Sequence, residues 1–272
     1  MLKKILAIVL IGSATCPALA AVQTWNYSGS SIEGGTAVNR LSNAGNYIEL
    51  NSNGVNLTTT AWSDTLGTTN INNNPPETIE AAELRFYSGT LGIVNQDEDT
   101  GAPNHSIDSY DPNNNPSWGH DYDMVLLEFD SAVSISSFSL GWAQENGSSY
   151  ADVSLAAYTG DINSYNGIAG ETWSSLVNGG GWTSEENFSN VDDYSTVNYQ
   201  STNTSQYWLI GAYNSVFGSD NWSTLNDGFK LAALTTSTID NSPGNEVPEP
   251  STLVMLMSGL LALAAKRKKT AC

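Results

Sequence analysis

The segment Asn95-Gln96-Asp97-Glu98-Asp99-Thr100-Gly101 is followed by Asn104-His105-Ser106-Ile107-Asp108 and then by Asp121 and Asp123. Carboxylates and amide carbonyls gathered in loops are the hard oxygen donors that Ca²⁺ takes, about six to eight at a time. The spacing of Asn95, Asp97 and Asp99 imitates the opening of an EF-hand loop. The match then breaks, because Thr100 stands where that loop needs Gly and Ser106 where it needs a bidentate Glu. An EF-hand is excluded. An irregular Ca²⁺ site built from Asn95, Asp97, Asp99, Asp108 and Asp123 stays open beside the plainer reading, a solvated acidic loop. The long stretch from Ser109 to Gly119 leaves it undecided whether Asp108 and Asp123 meet.

Other chemistries are less well served. Glu128 with Asp130, or Asp97 with Asp99, offers the two carboxylates a glycosidase needs on either side of a scissile bond. Acids two apart on a strand share a face, however, and more commonly repel or bind metal or solvent. His105 and His120 are the only imidazoles, and no Gly-x-Ser-x-Gly elbow accompanies the many serines. Zinc lacks a closely spaced His pair. No catalytic residue is therefore expected. Among the tryptophans, Trp62, Trp118, Trp142, Trp173, Trp182, Trp208 and Trp222 include candidates for stacking on sugar rings. Trp142 and Trp208 are expected in the core, and Trp118, in a polar loop, is the ligand-binding candidate.

The elements that must position these residues read as short strands. Tyr47 to Leu50, Val55 to Trp62, Leu84 to Tyr87, Met124 to Phe129, Ile135 to Trp142, Val153 to Tyr158, Tyr207 to Tyr213 and Phe229 to Leu234 are rich in β-branched and aromatic residues, and Gly, Asn, Ser, Asp and Pro clusters separate them. Met124 to Phe129 is almost continuously apolar, as expected of a strand covered on both faces, whereas Ile135 to Trp142 mostly alternates. The short Ser131-Ala132-Val133-Ser134 link predicts a hairpin between these two, or neighbours across sheets. Glu77 to Leu84, after Pro75-Pro76, is the best place for a short helix. The pattern predicts an all-β chain: a single antiparallel β-sandwich, jelly-roll-like, with no repeat of fixed period.

The net charge of −19 understates the asymmetry. Lys3, Lys4, Lys266, Arg267, Lys268 and Lys269 lie at the two ends, which leaves Arg40, Arg85 and Lys230 against nearly all of the acids. Such a domain repels nucleic acid, so no nucleic-acid partner is expected. Both cysteines, Cys16 and Cys272, are terminal, and no disulfide is expected between them in the mature domain.

The ends themselves read as addresses. Lys3 and Lys4, the apolar run Ile5 to Gly12, and the small-x-small Ala18-Leu19-Ala20 form an export signal over residues 1–20, cut by signal peptidase after Ala20. An acidic ectodomain is expected over 21–239 and a Pro-Gly-containing linker over 240–247. From there Val247-Pro248-Glu249-Pro250-Ser251 leads into the apolar run Thr252 to Ala265 and the bases Lys266-Arg267-Lys268-Lys269. The run is somewhat short for a bilayer span of roughly 20 residues, but flanking bases snorkel and are retained on the cytoplasmic side.

This order of tripeptide, apolar helix and basic cluster over 248–272 resembles the PEP-CTERM sorting signal. The resemblance implies recognition by an exosortase at Val247, Pro248, Glu249, Pro250 and Arg267, a transient stay in the inner membrane, and delivery to the surface of a Gram-negative bacterium that makes exopolysaccharide. Val94 to Glu98, Pro103 to Asp108, Asp123 to Phe129, Leu140-Gly141-Trp142 and Ala157 to Gly160 together resemble the ectodomain of exosortase-dependent surface proteins, a family that carries over no activity. The expectation is a non-enzymatic surface or extracellular-matrix protein, exported by the general secretion machinery and associated with exopolysaccharide or biofilm, with Ca²⁺ as its one candidate cofactor. A carbohydrate-binding module and a secreted glycoside-active enzyme are the alternatives.

Overall fold

The computed structural model describes residues 20–27, 39–40, 46–65, 78–87, 89–95, 105–109, 122–224 and 226–238. The export signal except Ala20, the linker and the sorting segment lie outside these residues, as do Asp97, Asp99, Trp118 and Asp121. Among the described residues thirteen strands are formed: β1 (Ala21–Asn26), β2 (Asn39–Arg40), β3 (Asn46–Ser52), β4 (Val55–Thr65), β5 (Thr78–Tyr87), β6 (Thr90–Val94), β7 (Ile107–Asp108), β8 (Asp123–Glu145), β9 (Tyr150–Tyr158), β10 (Trp182–Asp192), β11 (Thr196–Asn198), β12 (Ser205–Ala212) and β13 (Asp227–Thr238). The one α-helix among the described residues is α1 (Trp173–Val177), and the fold is all-β. Every pairing among these strands is antiparallel.

The long strand β8 organises the rest. Its first part, Asp123 to Phe129, lies between β4 and β12, and its second part, Ser134 to Glu145, pairs with β13. The expected hairpin at Ser131 to Ser134 does not form. The link stays extended, with Asp130, Ser131 and Ala132 exposed, and hands the strand from one set of partners to the other. Such a hand-over needs no turn because the ladder partners change while the backbone continues.

Burial explains the apolar run at the start of β8. Val125, Leu127 and Phe129 enter one core with Val153, Leu155, Trp208, Ile210, Phe138, Phe229 and Leu231. Met124 and Leu126 enter a second core with Ala156, Tyr158, Leu209, Trp173, Leu176 and Phe217. Successive side chains of a strand point to opposite faces, so a strand covered on both faces must be apolar throughout. Each large aliphatic side chain buried here contributes about 1.5–3 kcal/mol. Helix α1 helps to close the second core: Thr172 and Ser175 form a reciprocal capping box that fixes its start, and Trp173 and Leu176 point inward.

Two further expectations are corrected. The helix expected over Glu77 to Leu84 does not form across its described residues, since β5 occupies Thr78–Tyr87 and pairs with both β4 and β6. Ile79, Ala82 and Leu84 are its buried positions, and the two ladders override a weak local preference. Trp208 is fully buried as expected, but Trp142 is only half-buried, with the Lys230 ammonium 5.2 Å from its ring centroid.

Candidate functional site

The described part of the expected Ca²⁺ set is held by hydrogen bonds within the protein. Asn95, just after β6, is buried, and its Nδ2 donates to Ser63 Oγ at 3.1 Å and to Asp123 Oδ1 at 3.4 Å. The fold thus brings Asn95 and Asp123 together. Asp108 is buried on β7, opposite Gly228 of β13, and its Oδ2 accepts from Ser106 Oγ at 2.9 Å. Asp97 and Asp99, which would complete the set, lie outside the described residues, as does Trp118.

A different group of carboxylates converges on one point. Among the described residues Glu145, Asp152 and Asp227 have ligand atoms that all lie within 4.8 Å of one another. Three strand ends place them: Glu145 closes β8, Asp152 is the third residue of β9, and Asp227 opens β13 directly opposite Glu145 in the ladder. A tight connection brings the first two close. Asn146 and Gly147 take left-handed conformations (φ 47° and 83°), and Glu145 and Ser148 exchange backbone hydrogen bonds of 3.1 and 2.8 Å. Asn followed by Gly is the sequence that reverses a chain this sharply at low cost.

Each carboxylate is anchored through one oxygen. The Asp152 backbone N–H donates to Asp227 Oδ1 at 2.8 Å, and the Asn190 N–H donates to Asp152 Oδ1 at 2.7 Å. The second bond depends on a bulge. Phe188 and Val191 of β10 oppose Val153 and Ala151, so Ser189 and Asn190 share the place opposite Asp152, and Asn190 adopts φ 50°. Glu145 Oε1 accepts from Ser223 Oγ at 2.7 Å and Asn226 Nδ2 at 2.9 Å. Asp227 Oδ2 is buried with no hydrogen-bond partner among the described residues, as is Asn226 Oδ1.

The electrostatics follow from crowding and burial. Asp227 is 1% exposed, and burial, reinforced by the Asp152 and Glu145 charges, pushes its carboxyl up to about 8 despite the Asp152 N–H. Burial likewise raises Asp152, with the Asn190 bond opposing it and Glu145 adding to it. Nothing in the sequence advertised this group, because Asp227 stands far along the chain from the other two. The available signal was the Asn146-Gly147 turn, which brackets Glu145 and Asp152.

The acid pair Glu128 and Asp130 is separated by its surroundings. Asp130 accepts from the Asn56 N–H at 3.1 Å and from Asn56 Nδ2 at 2.6 Å. Glu128 stands opposite Tyr207 and Thr58, and burial raises its carboxyl. Beside it Tyr165 stacks on Tyr207 with centroids 3.9 Å apart. His105 packs on Tyr87, 4.1 Å between centroids.

Residues 246–268 match the PEP-CTERM protein-sorting motif. The match includes Val247, Pro248, Glu249, Pro250 and Arg267, and it marks an exported, exosortase-dependent protein anchored transiently in the membrane before release to the surface. No curated protein shows a match to the chain. Among the described residues no helix is long and apolar enough to cross a membrane.

Proposed function

We propose that this chain is a non-enzymatic cell-surface or extracellular-matrix protein whose antiparallel strands form a β-sandwich ectodomain for display outside the cell. The observation that carries the proposal is the sorting motif at 246–268. Residues 1–20 direct export, signal peptidase cuts after Ala20, and exosortase acts near Pro248-Glu249-Pro250. Each proline there removes a backbone N–H and biases its predecessor to extended conformations, which suits a chain bound in a protease-like cleft. The ectodomain then associates with exopolysaccharide. Supporting this are its acidity, which disfavours nucleic acid and anionic lipid, and aromatic rings left half-buried at Trp62, Trp142, Tyr207 and Trp222.

Mass spectrometry of the surface-exposed product tests the sorting step. The product is expected to lack Leu260 and Lys268, and joint Pro248→Ala and Pro250→Ala substitution is expected to retain the chain in the inner membrane. Normal surface delivery of that double variant, tail intact, would overturn the reading. The association with polysaccharide is tested separately by retention on an array of bacterial glycans, where uniform silence removes it.

A further inference from the structure

Asp152 and Asp227 are 4% and 1% exposed, and Glu145 closes their group at a half-buried rim. Among the described residues the cationic side chains of Arg85 and Lys230 are engaged elsewhere: Arg85 pairs with Glu83 at 2.6 Å, and Lys230 lies over the Tyr87 and Trp142 rings. Two carboxylates this close and this buried, Asp152 and Asp227, repel one another and have lost most of their water, so the fold favours a cation or a proton beside them.

We propose that Glu145, Asp152 and Asp227 hold a Ca²⁺ ion that ties the end of β8 to the starts of β9 and β13. Two oxygens on opposite sides of a Ca²⁺ ion stand about 4.6–5.2 Å apart. Ligand atoms within 4.8 Å of one another are therefore close enough to share one ion. A second observation points to a ligand independently of the clustering: Asp227 Oδ2, on a side chain almost wholly buried, has no hydrogen-bond partner among the described residues. The hydrogen bonds to the other two engage Glu145 Oε1 and Asp152 Oδ1, so each keeps a second oxygen for the ion. The Asn226 amide, whose nitrogen donates to Glu145, carries a further buried oxygen with no donor among the described residues. Hard, mainly anionic oxygens in a tolerant geometry suit Ca²⁺ better than Mg²⁺, which demands a near-ideal octahedron and dehydrates reluctantly. The site is independent of the sorting reading, since it draws only on strands between Ala21 and Thr238.

The test uses the full-length chain in mild detergent, stripped with EDTA and titrated with CaCl₂ to about 10 mM, above the ~10⁻⁴–10⁻³ M typical of extracellular Ca²⁺ modules. Saturable binding is expected by calorimetry, with a melting temperature raised about 5–10 °C at roughly hundredfold excess over Kd. Asp227→Asn and Glu145→Gln are each expected to weaken Ca²⁺ at least about tenfold by removing an anionic ligand. Because Glu145 is at the half-buried rim, its variant keeps the test decisive if Asp227→Asn fails to fold. A wild-type chain that neither binds Ca²⁺ nor gains melting temperature overturns the proposal and leaves a shared proton as the neutralising species. Binding that survives unweakened in both variants overturns it as well, because the ion then lies elsewhere, for example at Asn95 and Asp123.

Discussion

The backbone N–H of Asp152 donates to Oδ1 of Asp227 at 2.8 Å, so a side chain at the start of β13 caps a main-chain donor at the start of β9. Those strands are not ladder neighbours, since β9 pairs with β10 and β12. Asp227→Ala strands a buried donor, whereas Asp227→Asn keeps an acceptor in place. In the presence of EDTA, urea denaturation is expected to show Asp227→Ala less stable than wild type by about 1–3 kcal/mol, with Asp227→Asn well short of that loss. Equal losses in the two variants would show that the capped donor is not what the carboxylate supports.

Glu185 gives a pH dependence of definite sign. Burial acts to raise this carboxyl, but its hydrogen bonds together outweigh burial and hold it below the usual glutamate range. Oε1 accepts from the Thr202 and Asn203 backbone N–H groups, from Thr202 Oγ1 at 3.0 Å and from the Tyr199 hydroxyl at 3.0 Å, and Oε2 accepts from Asn203 Nδ2 at 2.6 Å. A carboxylate depressed in the folded state contributes stability that is full above the unfolded value, about 4.3, and is lost as pH falls through the folded one. Melting temperature is therefore expected to fall more steeply from pH 5 towards pH 3 in wild type than in Glu185→Gln, converging at the acid end. Parallel curves would contradict the assignment.

Lys230 is 8% exposed, with its ammonium 4.4 Å from the Tyr87 ring centroid and 5.2 Å from that of Trp142. Burial lowers its pKa from the usual lysine range, and the facing rings offset part of the lost hydration. A double-mutant cycle between Lys230→Met and Tyr87→Leu is expected to return a favourable coupling of about 0.5–1 kcal/mol in chemical denaturation. A coupling of zero would mean that the rings pack against the lysine stem alone.

Much of the strand framework was legible because side-chain alternation survives in the sequence wherever one face is buried. Ile48 and Leu50 mark β3, and Val55, Leu57 and Ala61 mark β4. Where the pattern misled, partners supplied what local sequence did not. Glu77 to Leu84 carries acids and alanines after two prolines, which reads as a helix start, yet pairing with β4 and β6 makes Thr78 onward a strand. Strand β10 was missed because only Trp182 and Val191 of its eleven residues are buried. The carboxylate group was illegible for a related reason: the ladder register that sets Asp227 opposite Glu145 is a long-range property that no local spacing encodes.

Glu128 supplies the opposite pH sign to Glu185. It stands between Thr58 and Tyr207 in the ladders, and burial raises its carboxyl because the ionised form is poorly solvated there. A carboxyl raised in the folded state contributes stability that is full below the unfolded value, about 4.3, and is lost as pH rises through the folded one. Replacing Glu128 with Gln keeps the size and polarity and removes the charge. The variant is expected to melt higher than wild type at pH 8, with the gain shrinking to nothing by about pH 4, where wild type is itself neutral. A variant that melts lower than wild type at pH 8 would mean that the ionised carboxylate is stabilised after all, and that the tyrosines beside it are its partners rather than its desolvating wall.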